Sequence, residues 1–218
     1  MDLYEVMRTT FACREFTGEP IPSEVLYRII DNARFAPSGG NRQGWRIIHI
    51  TDPEIRETLA QLSLPCATRY LLEAGAGESP LNTINPSKVS DAEVAAAEPP
   101  QWLIAHLRNA PTTLVITVDL SLVASMDKDL ERIGVISGAS IYPLAWNILL
   151  AARNEGYGGL MTTWGVAQEP AIQRLLGIPE HWAVATIMPM GKPSKQLTRL
   201  RRRPVEEILV ENRWAFSV

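Results

Sequence analysis

Thr113-Leu-Val-Ile-Thr-Val-Asp119 is the stretch with the least conformational freedom in this chain. Five of its seven residues are branched at Cβ. Branching stiffens χ1, crowds a helical turn and suits a pleated strand. A strand this apolar needs partners, and three other stretches supply them. Trp45 to Thr51, Leu160 to Trp164 and Trp182 to Met190 read as strands, the last closed by Gly191-Lys-Pro193.

Helical patterns alternate with these strands. Asp2 is placed to cap a short helix running through Thr10. Ser23 is expected to cap an amphipathic helix in which Val25, Leu26, Ile29, Ile30, Ala33 and Phe35 recur at helical spacing. Ala36-Pro37 ends it, because the residue before proline is pushed out of helical geometry. Asp52-Pro53 opens a third helix, expected to reach about Leu62. Gln101 to Asn109 suggests a short one. A long helix is expected from about Asp129 to Glu155, stopped by Gly156-Tyr-Gly-Gly159. Glu169-Pro170 starts a last helix that ends near Gly177. Four strands alternating with helices imply an α+β chain built around one sheet.

Leu64 to Pro100 breaks this rhythm. It contains Gly75, Gly77, Pro80, Pro86, Pro99 and Pro100 and little periodicity, and is expected to be a lid-like insert. After Pro204 come Val205, Ile208, Leu209, Val210, Trp214 and Phe216. An apolar tail beyond the last core strand needs another surface, and a second subunit would provide one. No linker or repeat divides the 218 residues, so one domain is expected over 1–218.

Composition narrows the partners. A formal net charge of -3 gives no reason to expect nucleic acid or an anionic membrane. Ile133 to Ala152 imitates a membrane span, but Gly134, Ser137, Gly138, Ser140, Pro143 and Asn147 interrupt it, and it reads as a buried central helix. Cys13 and Cys66 stand alone, without metal-ligand spacing, as expected of thiols in a reducing cytoplasm. The N-terminus lacks the order of a signal peptide, so the expected location is cytoplasmic.

Motifs for self-sufficient chemistry are missing. There is no G-x-G-x-x-G, no P-loop and no acidic cluster, and His49, His106 and His181 are isolated. A bound cofactor would then carry the reaction. One loop invites such a group. Pro37-Ser-Gly-Gly-Asn41 has more small residues than a turn needs, and small residues let backbone approach a ligand closely.

Three segments together carry a resemblance. Arg14-Glu-Phe-Thr17 with Pro20-Ile-Pro-Ser-Glu-Val-Leu26 and Ala36-Pro-Ser-Gly-Gly-Asn-Arg-Gln-Gly-Trp45 resembles the opening of the FMN-dependent nitroreductase family. Gly156-Tyr-Gly-Gly-Leu-Met-Thr-Thr163 resembles the family's strand after its central helix. Leu176-Gly-Ile-Pro179, Met190-Gly-Lys-Pro193 and Arg202-Arg-Pro-Val-Glu-Glu-Ile208 resemble its C-terminal landmarks. The resemblance implies a three-layer α/β/α sheet fold in a domain-swapped homodimer, with the tail from about residue 204 exchanged and FMN at the interface.

It also implies roles. Ser38, Gly39 and Asn41 would lie along the flavin, with Gln43 and Trp45 fixing the loop to the next strand. Arg14 would face flavin N1 and O2, and Thr162 and Thr163 would face O4 and N5. Arg202, with Arg203 as a companion, would hold the phosphate; a guanidinium fork binds two oxygens at once. Where the family reads Arg-Arg-Ser, this chain has Thr10-Phe11-Ala12, so Arg8 and Thr10 are the expected substitutes. The implied activity is ping-pong transfer of hydride from NAD(P)H, through FMN, to a nitroaromatic, quinone or similar flat acceptor. Trp102 and Trp164 are candidate walls for that acceptor. Two alternatives stay open: reductive dehalogenation or flavin breakdown on the same fold, and FMN binding without turnover.

Overall fold

The β-branched run becomes β2 (Thr112–Asp119), buried along its length up to Asp119. The computed structural model describes residues 1–214, so Phe216 of the expected tail lies outside the described residues. β1 (Trp45–Ile50) pairs antiparallel with β2 from Trp45↔Val118 to Ile50↔Thr113. β4 (Trp182–Gly191) pairs antiparallel on its other side from Thr112↔Met190 to Asp119↔Trp182. β3 (Gly158–Gly159) adds a short edge, giving the order β1-β2-β4-β3.

Alternation along β2 feeds two cores. Leu114 and Ile116 enter one, covered by α2 (Ser23–Ala33) and α6 (Tyr142–Asn154) through Leu26, Ile29, Leu144 and Ile148. Val115 enters the other, covered by α3 (Pro53–Gly75), α5 (Ala105–Arg108) and α7 (Glu169–Leu176) through Leu59, Leu107 and Ile172. The result is a three-layer α/β/α fold. A bulge steps the pairing of Ile116 with Thr186 to that of Thr117 with Val184, and the extra residue, Ala185, turns to a small cluster with Val118 and Ile141.

Some boundaries differ from those read in the sequence. α1 (Leu3–Thr9) is capped by Asp2, whose Oδ1 accepts from the Tyr4 N–H at 3.1 Å. At α2, Ser23 is the first helical residue, the cap position falls on Pro22, and no side chain caps the end. α3 does not stop near Leu62 but continues to Gly75 with Pro65 inside it. A mid-helix proline costs about 3 kcal/mol. Here Pro65 and Gln61, whose carbonyl loses its partner, both lie on the exposed side, while Leu64, Ala67 and Thr68 go on burying the opposite face. Packing prevails over propensity. The insert is therefore shorter than expected, and part of it is a small helix, α4 (Asp91–Ala96), closed by a Ser90–Glu93 capping box.

The long central helix is also shorter. α6 begins only at Tyr142, with Pro143 in its first turn, where a missing N–H is harmless. Residues 136–140 form a 3₁₀ turn instead. Upstream, the buried Asp127 carboxylate accepts from the Val135 N–H at 2.7 Å and from Arg132 at 2.8 Å. These donors hold its pKa at about 2 and fold the segment as a loop. Leu160 to Trp164 is not a full strand; it contacts the sheet through an isolated Thr162↔Ile187 bridge. Among the described residues, no helix is long and apolar enough to cross a membrane.

Candidate functional site

The small-residue loop is braced from within. Gly40, Asn41 and Gln43 have φ of 61, 51 and 49°, in the left-handed region that glycine enters freely and asparagine tolerates. Gln43 has no such excuse and is held by two bonds. Its N–H donates to Ser38 Oγ at 3.0 Å, and its Nε2 donates to Asn41 Oδ1 at 3.1 Å. Gly39 N–H donates to Ser140 Oγ at 3.0 Å, tying the loop to the 3₁₀ turn before α6. Gln43 thus closes the loop on itself rather than onto the strand. The side chains of Ser38 and Asn41 are engaged inside the loop, and neither cavity described next is lined by Ser38, Gly39 or Asn41.

The first cavity sits where the N-terminal segment meets the sheet edge. Cys13 N–H donates to the Gly159 carbonyl at 3.0 Å, and Ala12 bridges Gly159 in parallel. A Cβ on Gly159 would lie 2.7 Å from the Pro189 carbonyl and from Met190 Cγ, so glycine lets this edge pair closely with β4, and a Cβ on Gly158 would come within 3.2 Å of Cys13 Cβ. The contact delivers Arg14 to a cavity of about 200 Å³ that it shares with Thr162, Thr163, Trp164, Tyr70 and His106. Thr162 is pinned by reciprocal backbone bonds with Ile187, both 2.9 Å. Trp164 packs between Tyr70 and His106, with ring centroids 5.6 and 6.1 Å away.

His106 is 6% exposed. Burial, helped by the Arg14 cation, pushes its pKa down to about 4. The imidazole is therefore neutral over most of the working range, and its Nε2 has no hydrogen-bond partner. An unpaired buried group costs about 1–3 kcal/mol.

The second cavity, of about 410 Å³, gathers Arg8, Arg199 and Arg202 with Met7, Thr198 and Leu200. The Gln196 side chain donates to the Thr9 carbonyl at 3.0 Å, drawing the 198–202 segment alongside the end of α1. Arg153 Nε donates to Thr9 Oγ1 at 2.9 Å and anchors the same turn. No carboxylate lines the cavity, and none of the three arginines forms a salt bridge among the described residues. Three guanidiniums with no carboxylate beside them suit an anion. Two expected members drop out. Thr10 is buried and its hydroxyl donates to the Val6 carbonyl at 2.8 Å, so it has no proton left for an anion. Arg203 does not line the cavity.

Three lining residues were not singled out from the sequence. His106 read as an isolated structural histidine. Tyr70 fell in the stretch taken as irregular, and continuing the α3 pattern past Pro65 would have found it. Arg199 stands in no motif of its own, three residues before Arg202. Beside Tyr70, the buried Glu73 carboxylate accepts from the Leu81 N–H at 2.7 Å, and this bond, with help from Arg69, keeps it ionised below its ordinary range. The insert after Gly75 is thereby hung from the turn of α3 that supports the first cavity.

The chain resembles known proteins in sequence and in fold. The chain is 25% identical over 211 residues to human iodotyrosine deiodinase 1, covering 96% of this chain and 68% of that protein. Its fold is similar to that of the NADPH:FMN oxidoreductase from Vibrio harveyi, solved with NAD+, with a TM-score of 0.69, 22% identity and coverage of 98% and 78%. It is also similar to oxidised iodotyrosine deiodinase bound to FMN and 3-iodo-L-tyrosine, with a TM-score of 0.65, 19% identity and coverage of 99% and 100%. The model of the Nitroreductase family matches residues 7–192, a span that holds Arg8, Arg14, the 38–43 loop and Thr162-Thr163. With that match running through most of the chain and through both walls of the Arg14 cavity, this protein belongs to the nitroreductase family.

Proposed function

We propose that this chain is an FMN-dependent oxidoreductase. In this reading it works as a cytoplasmic homodimer and passes electrons from NAD(P)H to a flat acceptor such as a nitroaromatic or a quinone. The observation that carries the proposal is the pair of cavities at either end of the 8–14 segment. FMN has a phosphate at one end and a ring with alternating acceptors and donors at the other. Arg8, Arg199 and Arg202 suit the phosphate. Arg14 and the Thr162 and Thr163 hydroxyls suit the ring edge. When bound, FMN supplies the hydride and electron chemistry. The chain binds and orients it, and Arg14 offsets negative charge at the end of the ring it faces. Trp164 and Tyr70 limit water at that wall.

The homodimer has its own support. A cavity of 200 Å³ is below the usual size of a cofactor pocket, about 300–1,000 Å³, and a second copy would enlarge it. The tail exposes Val205, Ile208, Leu209 and Trp214, apolar surface that such a copy would cover. Removing the residues after Pro204 should convert dimer to monomer by light scattering; a truncated dimer would contradict the tail's role. The free thiols Cys13 and Cys66 fit a reducing compartment.

A second reading is favoured by the human deiodinase relative. In reductive dehalogenation an aryl halide takes two electrons and a proton, the carbon–halogen bond breaks, and halide leaves. Absorbance before and after NADPH, without oxygen, tests the shared part: a yellow protein that bleaches holds a flavin able to accept hydride. A protein that stays colourless with added FMN would refute it. Halide release from 3-iodotyrosine, against loss of a nitroaromatic or quinone, then separates the two reactions. Colour without turnover would mean storage.

A further inference from the structure

The loop that leads to α6 has its charge inside and its apolar side chains outside. Asp127 is only 4% exposed, while Met126, Leu130, Ile133 and Val135 all face solvent, Met126 at 77% and Val135 at 65%. The buried carboxylate makes this arrangement. It accepts from the Val135 N–H at 2.7 Å, from Arg132 at 2.8 Å and from the Ile136 N–H at 3.4 Å. The two ends of the loop therefore close on it, and the residues between are turned outward. The 3₁₀ turn 136–140 then leads into α6, where Tyr142 and Trp146, one turn apart, are exposed as well. Water favours the opposite order, with charge outside and large apolar groups within. An exposed apolar face built in this way marks a surface that binds something.

Two observations say what covers it. The first is area. The chain exposes 13718 Å², about 3,700 Å² more than the roughly 10,000 Å² expected of a folded monomer of 218 residues. The tail after Pro204 supplies part of that excess, and this loop and α6 another part. Permanent homodimers bury about 2,000–5,000 Å² in total, so the excess on each copy is ample for one. The second is charge. Lys128, Asp129 and Glu131 on the same loop are exposed, and none of them forms a salt bridge among the described residues. A surface that carries both signs can meet itself about a two-fold axis, cation to carboxylate. A partner of a single sign would not select it. We propose that the 126–135 loop, shaped by Asp127, is a contact surface between two copies of this chain. The proposal rests on the homodimer of the reading above and not on its flavin.

Light scattering of the full chain over a concentration series tests it. The wild type is expected to be a dimer. Leu130→Glu and Ile133→Glu, each at an exposed position, should weaken that dimer roughly 100-fold, because pairing would bring carboxylates into an apolar contact. Circular dichroism of both variants should remain that of a folded chain. Asp127→Asn, which keeps the shape and removes the charge that holds Arg132, should weaken the dimer less, roughly tenfold. A further measurement needs no variant: amides of residues 126–135 should exchange with deuterium more slowly in the wild-type dimer than after dilution to monomer. Dimerisation as tight in both Glu variants as in the wild type would overturn the proposal, and so would unchanged exchange across the loop. A wild type that stays monomeric at every concentration would instead refute the homodimer reading, and the proposal with it.

Discussion

The two cavities differ in how they are made. The Arg14 cavity is wired into the sheet: Cys13 and Ala12 clasp Gly159, Thr162 is pinned to Ile187, and His106 and Thr162 are buried. The arginine cavity is assembled at the surface from the end of α1 and a segment without regular structure, joined by the Gln196 side chain. Rigid placement suits a ring whose reactive edge must be oriented. Loose placement suits a phosphate, which charge can hold from several directions. One cavity should therefore respond to packing changes and the other to charge.

Substitution at Gly159 should have the largest effect. Gly159→Ala puts a methyl 2.7 Å from the Pro189 carbonyl and from Met190 Cγ. We expect a loss of about 3 kcal/mol, seen as a fall in Tm of roughly 10 °C, with Arg14 and Thr162 displaced. A variant as stable as the parent would show that the sheet edge does not set the Arg14 cavity.

Acid should come next, acting on the same cavity. The folded pKa of His106, about 4, lies below its unfolded value of about 6.5. The neutral form belongs to the native state, so this contribution is whole above pH 6.5 and is lost as pH falls toward 4. The loss is at most about 3 kcal/mol. Asp127, held at about 2, releases its own contribution only below the ordinary aspartate range. Denaturant midpoints from pH 7 to 4 should fall in the wild type and stay flatter in His106→Gln; parallel profiles would break the link.

Arg202→Ala probes the other cavity. Bonds from charged groups contribute about 1.5–3 kcal/mol, so FMN affinity should drop roughly 10- to 100-fold while riboflavin, lacking the phosphate, binds as before. Added salt should weaken FMN in the wild type. Unchanged FMN occupancy would remove Arg202 from the phosphate site.

The smallest effect is expected at the loop that lines neither cavity. Ser38→Ala deletes the acceptor for the Gln43 N–H, which should cost about 1 kcal/mol in urea unfolding and leave Arg202-dependent binding intact. A large drop in FMN affinity instead would mean that the loop touches the ligand after all.

Local rules located most of the elements. Asp52-Pro53 marks the start of α3 and Asp2 the cap of α1, because caps depend on neighbours in sequence. They failed where burial decided. The third helix was expected to end near Leu62, yet it runs on through Pro65 to Gly75, because what the second core gains from Leu64 and Ala67 is not visible in a local window. Gly134 to Ser140 sits in a helical pattern, yet is a loop and a 3₁₀ turn, held by the Asp127 carboxylate and by the bond from Gly39 to Ser140. The site was legible to the same extent. Arg8 and Arg202 meet in one cavity and Arg14, Thr162 and Thr163 in the other, but Thr10 turns back on its own helix, and His106, Tyr70 and Arg199 enter from distant segments.

By itself, the sequence determined that a central β-branched strand would be flanked by other strands and amphipathic helices. Those properties follow from side-chain shape, period and composition, which act over a few residues. Only the tertiary structure decided which cations share a cavity, which hydroxyls are already engaged, and that one histidine is buried with a nitrogen unpaired. Hydrogen bonding and desolvation depend on what surrounds an atom in space, and for His106 those surroundings come from residues 14, 70 and 164 together.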